Sequence, residues 1–209
     1  MICHILINGD LHPTQHMQEV LEAFPPDLVV VADGGIRHVQ TLGLKPDIWL
    51  GDFDSAPEGT LQAYPELKRL PYPTEKDLLD SEIALEYAIE QGAQKVIFWG
   101  ALGGRTDHAL AMMLLCTRHP HLDLMLHSGN ESVHPLHPHH PLILHTHTDQ
   151  TVSVLAIEPL KHLNLRGVKW ELLDANVERG SGWTMSNTAI SEEVKVWCSG
   201  GVGVVVLQH

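Results

Sequence analysis

The sequence predicts an α/β N-terminal domain built on a parallel sheet, followed by an all-β C-terminal sandwich. Three observations predict it. In the first 130 residues, short continuous apolar runs alternate with stretches of helical spacing. That is the pattern of strands buried on both faces and joined by crossover helices. Four of these runs end in Gly or Asp where the chain turns. After about residue 128 the helical period disappears, and short alternating runs punctuated by Gly and Asn replace it, as in antiparallel sandwiches. The domains are therefore set at 1–130 and 131–209. The His/Pro stretch 134–141 marks the boundary and reads as a solvated, polyproline-like linker.

The elements follow in order. Residues 2–8 form an apolar strand that empties into Asn8-Gly9-Asp10. Met17, Val20, Leu21 and Phe24 recur at helical spacing, and Pro25-Pro26 stop that helix. Residues 28–32 are a continuous apolar strand ending in Asp33-Gly34-Gly35, with a short helix expected over 36–42. Residues 48–50 lead into Gly51-Asp52-Phe53-Asp54-Ser55. A loop with a short helix over 57–66 and a strand over 67–70 come next. A helix is predicted from Thr74 to about Gln91, because Thr74 and Asp77 resemble a capping box and Gly92 is a natural stop. Leu78, Leu85, Ala88 and Ile89 are its expected core stripe. Residues 95–99 form a strand that runs into Gly100-Ala101-Leu102-Gly103-Gly104-Arg105-Thr106-Asp107-His108, with an apolar helix over 109–117. In the second domain, strands are expected at 152–157, 162–165, 194–198 and 202–207.

Composition narrows the function. The chain has 209 residues, 26 Asp+Glu against 13 Lys+Arg, and a formal net charge of −13. Such a balance disfavours a nucleic-acid backbone or an anionic membrane as partner. It allows a nucleotide whose charge a metal offsets. Three cysteines stand far apart without CxxC spacing, which points to a reducing compartment and against a disulfide framework or zinc site. No segment reaches membrane-spanning length, and an apolar strand begins within two residues of Met1. A cytoplasmic protein without a signal peptide is expected.

The chemistry concentrates at strand ends. In a parallel sheet, ligands bind at the carboxyl ends of the strands. Asp10, Asp33, Asp52, Asp54, Asp77, Asp80 and Asp107 all fall in such segments. Asp52 and Asp54 alternate, so in extended backbone both point to one side. Side-by-side anions repel unless a cation lies between them, and oxygen-only ligands suit Mg²⁺. Taken alone, the motif could equally be an acidic turn. Gly34-Gly35 and Gly103-Gly104 let backbone N–H groups approach an anion, but neither has the spacing of a dinucleotide fingerprint or a P-loop. Arg105 and Lys76 are the nearby cations, suited to phosphate or to their own Asp neighbours.

Together, ADGG at 32–35, GDFDS at 51–55, EKDLLDSEIAL at 75–85 and GALGGRTDH at 100–108 resemble the thiamine pyrophosphokinase family. Gly167-Val168-Lys169-Trp170-Glu171-Leu172 and Ser186-Asn187 extend the resemblance. It implies transfer of pyrophosphate from ATP to the thiamine hydroxyl, with Mg²⁺ as cofactor, by a homodimer whose active site lies between subunits. It further implies Asp52, Asp54 and Asp80 as metal ligands. Asp33, Gly34, Gly35, Lys76, Gly103, Gly104 and Arg105 would contact the nucleotide. Asp77, Asp80, Arg105 and Asp107 would serve catalysis, and Ser186, Asn187 and Asp107 would face thiamine. This chain departs from the family pattern at Leu79, where Thr is usual, and lacks an aromatic residue in its last strand. A pyrophosphokinase acting on a hydroxymethylpterin, or a non-catalytic nucleotide or thiamine binder, would share part of these features.

Overall fold

A computed structural model describes residues 1–53, 59–72 and 78–209, with only the backbone of Thr60 and Leu61. It divides into two compact units, one comprising Met1–Leu115 and His121–Asn130, the other Cys116–Pro120 and Glu131–His209.

The first unit is an α/β layer structure. Its strands are β1 (Ile2–Leu6), β2 (Leu28–Ala32), β3 (Ile48–Gly51), β4 (Lys68–Pro71), β5 (Lys95–Trp99) and β6 (Asp123–His127). They pair in parallel in the order β6-β5-β1-β2-β3-β4. Every pair is parallel, so all carboxyl ends lie along one edge. Connecting segments are α1 (Gln15–Ala23), a 3₁₀ helix (Asp33–His38) continuing into α2 (Val39–Leu42), α3 (Thr60–Ala63), α4 (Asp80–Glu90) and α5 (Thr106–Cys116).

Both sheet faces are covered, which explains why the strands read as unbroken apolar runs. Leu6, Val29, Val31, Trp49, Ile97, Trp99 and Met125 face α1 and α2 through Met17, Val20, Ile36, Val39 and Leu42. On the other side α4 packs against β1, β2 and β3. Thr14 caps α1 by accepting a hydrogen bond from the Met17 amide at 3.2 Å, and the helix ends before Pro25-Pro26, as expected.

Several expectations need correction. Helix α4 begins at Asp80 with Leu79 as its N-cap and no side-chain cap. The Thr74/Asp77 capping box lies outside the described residues. Of the expected core stripe, Leu85 and Ala88 are buried, but Leu78 and Ile89 are exposed. Ser81, Ile83 and Ala84 are buried instead. The helix presses a face onto the sheet that is offset from the four-residue stripe expected. Helix α5 starts at Thr106, so Asp107 occupies its first turn.

The second unit holds two antiparallel sheets. Strands β7 (Glu131–Leu136), β9 (Thr151–Ala156), β12 (Asn187–Thr188) and β14 (Gly203–Gln208) form one, in the order β12-β9-β14-β7. Strands β8 (Leu142–His145), β10 (Leu160–Arg166), β11 (Leu172–Val177) and β13 (Glu193–Trp197) form the other, in the order β11-β10-β13-β8. Val152, Val154, Val205 and Leu207 from the first share one core with Leu144, Leu163, Leu165, Val194 and Val196 from the second. This is the predicted sandwich. The His/Pro stretch is not a linker: Glu131–Leu136 is a strand whose His134 and Pro135 pair with Val205 and Val204. Pairing with the apolar β14 outweighs a composition that looks solvated. The three cysteines are buried free thiols.

Candidate active site

The loops that leave β1, β2, β3 and β5 are knitted together at the carboxyl edge. A Cβ on Gly35 would lie 2.1 Å from the Leu6 carbonyl oxygen, and one on Gly34 would lie 2.5 Å from the Asn8 side chain. A Cβ on Gly9 would fall 2.2 Å from the Gly100 oxygen. At Gly35 and Gly9 glycine is required because backbones touch there, whereas at Gly34 the neighbour is the Asn8 side chain. Gly34 and Gly35 are accordingly buried inside the 3₁₀ helix, and their absent side chains serve packing. Gly103 and Gly104 differ. They are exposed, with φ of 78° and 65°, and their turn leaves room for the Asp10 carboxylate. A Cβ on Gly103 would come within 3.1 Å of Asp10 Oδ2.

The acidic residues follow this mesh. Asp33 is half-buried, has φ of 45°, and its carbonyl accepts a 2.8 Å hydrogen bond from the buried Trp49 indole. Gly51 stands beside it, with its Cβ position 3.1 Å from the Asp33 Cβ. Asp52 follows directly and is half-buried. Asp80 opens α4 and is half-buried. Asp54, Lys76 and Asp77 lie outside the described residues. Among the described residues, no three carboxylates converge within reach of one ion. The structure thus places Asp10 against Gly103 and Gly104, and Asp33 against Gly51, as two pairs along the same sheet edge. Asp52 adjoins the second pair.

Arg105 and Asp107 form a forked pair at the start of α5, with Nε–Oδ1 at 3.1 Å and Nη2–Oδ2 at 2.6 Å. The His108 amide also donates to Asp107 Oδ1 at 3.0 Å. These bonds, Arg105 first, hold the Asp107 carboxyl down to about 2. Both side chains are exposed, at 73% and 68%, and so are open to a ligand.

Two residues not singled out from sequence matter here. Arg37 donates from one guanidinium nitrogen to the Asn8 and Gly9 carbonyls at 2.8 and 2.6 Å. His38 Nε2 lies 2.9 Å from the Gly9 oxygen, and burial pushes its pKa down. Together they anchor the tip of β1 that presents Asp10. The signal was present in Arg37-His38, directly after ADGG, but nothing local says that their targets lie 28 and 29 residues earlier.

In the second unit, Ser186 and Asn187 line a cavity of about 410 Å³ with Trp170, Leu172, Trp183, Thr184 and Met185. Asn187 is buried. Its Oδ1 accepts from the Trp170 amide at 3.1 Å, and its Nδ2 donates to the Trp170 carbonyl at 2.8 Å. Asn187 therefore holds the Trp170 backbone in place. Ser186 has φ of 56°, and its amide donates to Ser153 Oγ at 2.9 Å. Trp170 and Trp183 are 57% and 62% exposed, and the Lys169 ammonium lies over the Trp170 ring, 4.7 Å from its centroid.

Comparison with known proteins agrees with this fold. The family described as thiamin pyrophosphokinase, catalytic domain, matches residues 24–126. The thiamin pyrophosphokinase vitamin B1 binding domain matches residues 139–202. The thiamine pyrophosphokinase of Bacillus subtilis (strain 168) is 27% identical over 170 residues, covering 78% of each chain. A crystal structure of thiamine pyrophosphokinase from Bacillus subtilis superposes with a TM-score of 0.85 at 22% identity, covering 100% of this chain and 99% of that one. The thiamin pyrophosphokinase of Geobacillus thermodenitrificans gives 0.80 at 27% identity, covering 100% and 98%. With both domain families matched in order along its length, the chain belongs to the thiamin pyrophosphokinase family.

Proposed function

We propose that this protein transfers the terminal pyrophosphoryl group of ATP to the hydroxyl of thiamine, releasing AMP. The observation that carries the reading is the packing of the Asp10 carboxylate against the exposed Gly103-Gly104 turn at the carboxyl edge of the parallel sheet, in a chain that matches both family domains.

The described donors suit Mg²⁺, since Asp52 and Asp80 are half-buried carboxylates, one directly after β3 and one at the start of α4. Asp52, Asp54 and Asp80 would hold the ion. Bound there, it would supply neutralisation of phosphate charge. The chain's own groups do the rest. The exposed amides of Gly103 and Gly104 suit phosphate oxygens, and Arg105 offers further donors beside them. Gly34 and Gly35 reach a nucleotide only through backbone, since both are buried. The Asp107 carboxyl, titrating near 2, is a poor proton acceptor at neutral pH. Its role is to orient Arg105, which leaves Asp77 or Asp80 to accept the hydroxyl proton.

The cavity beside Ser186 suits a flat cation, because two indoles line it and the Trp170 ring already carries the Lys169 ammonium in a cation–π contact. The net charge of −13 also favours a cationic substrate. We read the active unit as a homodimer with the site shared between copies. Leu110 and Leu114 support this, since they are 56% and 43% exposed one turn apart on the helix that carries Asp107. Three buried free thiols accord with a cytoplasmic setting. Among the described residues, no helix is long and apolar enough to cross a membrane.

The decisive assay incubates the protein with ATP and Mg²⁺, with and without thiamine. AMP and thiamine diphosphate should appear in equal amounts only with thiamine. AMP release without thiamine, or thiamine monophosphate as product, would overturn the reading.

A further inference from the structure

The first unit has a second concave site at the opposite end of its sheet. Asp47 precedes β3, and Lys68 opens β4, so both stand at amino ends of strands. Between them a cavity of about 600 Å³ opens, walled by the segment from Val39 and Leu44 to Asp47 on one side and by Ala63–Lys68 on the other. That volume is within the range of small-molecule sites, roughly 300–1,000 Å³.

The walls are held in place before any ligand arrives. On one side, the Leu44 amide donates to the Val39 carbonyl at 3.2 Å. Asp47 is fastened to β2, because its carboxylate accepts from the Val29 amide at 2.8 Å and its own amide donates to the Val29 carbonyl at 2.9 Å. On the other side, the Tyr64 carbonyl accepts from the Leu67 amide at 3.3 Å and from Arg69 Nη2 at 3.0 Å. Pro46 and Pro65 stiffen the two walls further. The floor is apolar: Leu44, Tyr64 and Leu67 are half-buried against the main core.

The rim decides what kind of molecule fits. Lys45 and Lys68 are exposed, and neither side chain makes a hydrogen bond or ion pair among the described residues. Asp47 lines the same cavity, but its carboxylate is engaged by the Val29 amide. Glu66 is the other acidic lining residue and is exposed. Among the described residues, two ammonium groups without a side-chain partner thus stand at the rim of an apolar floor, with Glu66 beside them. An apolar body with one anionic group would bury the floor and satisfy the lysines together.

We propose that this groove is a second, non-catalytic binding site for a small organic anion with a flat apolar body. It does not depend on the reaction at the carboxyl edge.

The test titrates naphthalene-2-sulfonate into the full-length ¹⁵N-labelled protein and follows amide shifts. Saturable shifts are expected at Leu44, Lys45, Asp47, Tyr64, Glu66, Leu67 and Lys68, while Gly34, Gly103 and Gly104 stay still. The uncharged naphthalene-2-sulfonamide should bind at least ten-fold more weakly. Lys45→Gln with Lys68→Gln should weaken the sulfonate at least ten-fold with the rest of the spectrum unchanged. Ala63→Trp, which narrows the groove without touching either charge, should weaken both probes. Absence of saturable shifts at these amides would overturn the proposal. So would equal affinity for sulfonate and sulfonamide, or undiminished binding to the double glutamine variant.

Discussion

Arg105 holds Asp107 with two parallel hydrogen bonds, Nε to Oδ1 and Nη2 to Oδ2, across a single intervening residue. The fork fixes the two side chains relative to each other. Asp107 titrates near 2, below its ordinary 3.8. The contribution of the pair is therefore fully present above the ordinary carboxylate range and disappears only as pH falls through about 2. Arg105→Gln should move the Asp107 midpoint back up toward 3.8, as read by ¹³C-carboxyl NMR. Turnover should fall about 100-fold, the scale of losing one charge-stabilising donor. An unmoved midpoint would mean that the His108 amide and not the guanidinium controls the group.

His4 sets an acid limit on the fold. It is fully buried in β1 with its Nδ1 accepting from the Trp99 indole at 3.2 Å, and burial pushes its pKa down to about 4. The unfolded chain therefore binds the proton more tightly. Stability is complete above pH 6.5 and is lost as pH falls from 6.5 to 4, by about 3 kcal/mol. His4→Gln should flatten the dependence of Tm on pH in that window. The same slope in the variant would assign the effect to other groups.

Gly35 and Gly43 separate contact from conformation. At Gly35 a Cβ would strike the Leu6 backbone at 2.1 Å, whereas at Gly43, with φ of 62°, nothing lies within 4 Å. Gly43→Ala should cost about 1 kcal/mol of left-handed strain. Gly35→Ala should cost about 3 kcal/mol, because backbone must move. Denaturant midpoints measure both, and comparable losses would show that the strand tips are not as tightly apposed as the structure has them.

Trp170 and Trp183 should matter for substrate and hardly at all for stability. Both are more than half exposed, so each Trp→Ala change should shift unfolding by less than about 0.5 kcal/mol. The KM for thiamine should rise at least ten-fold with little change in KM for ATP. Asn187→Ala should raise thiamine KM in the same direction, since its amide brackets the Trp170 backbone. A change confined to ATP would place the thiamine pocket elsewhere.

Much was legible from residues alone. The parallel first sheet follows from apolar runs that must be buried on both faces, and the strand-end position of the Asp and Gly motifs follows from that sheet. The linear motifs were enough to indicate the family. Where the reading went astray, local signals lost to packing. Pro and His in residues 134–136 look like a linker, yet they pair with β14. The stripe on α4 shifted because the sheet beneath it selects which face is buried.

Sequence by itself determined the alternation of elements, the acidic balance and the motif set, because periodicity and residue chemistry are local properties. Only tertiary structure decided which loops touch. It set the buried Gly34-Gly35 against the tip of β1, placed Asp10 beneath Gly103 across some ninety residues, and turned Asn187 toward the Trp170 backbone. Those outcomes depend on strand order and on the space a missing Cβ leaves, and neither quantity is carried by any short stretch of chain.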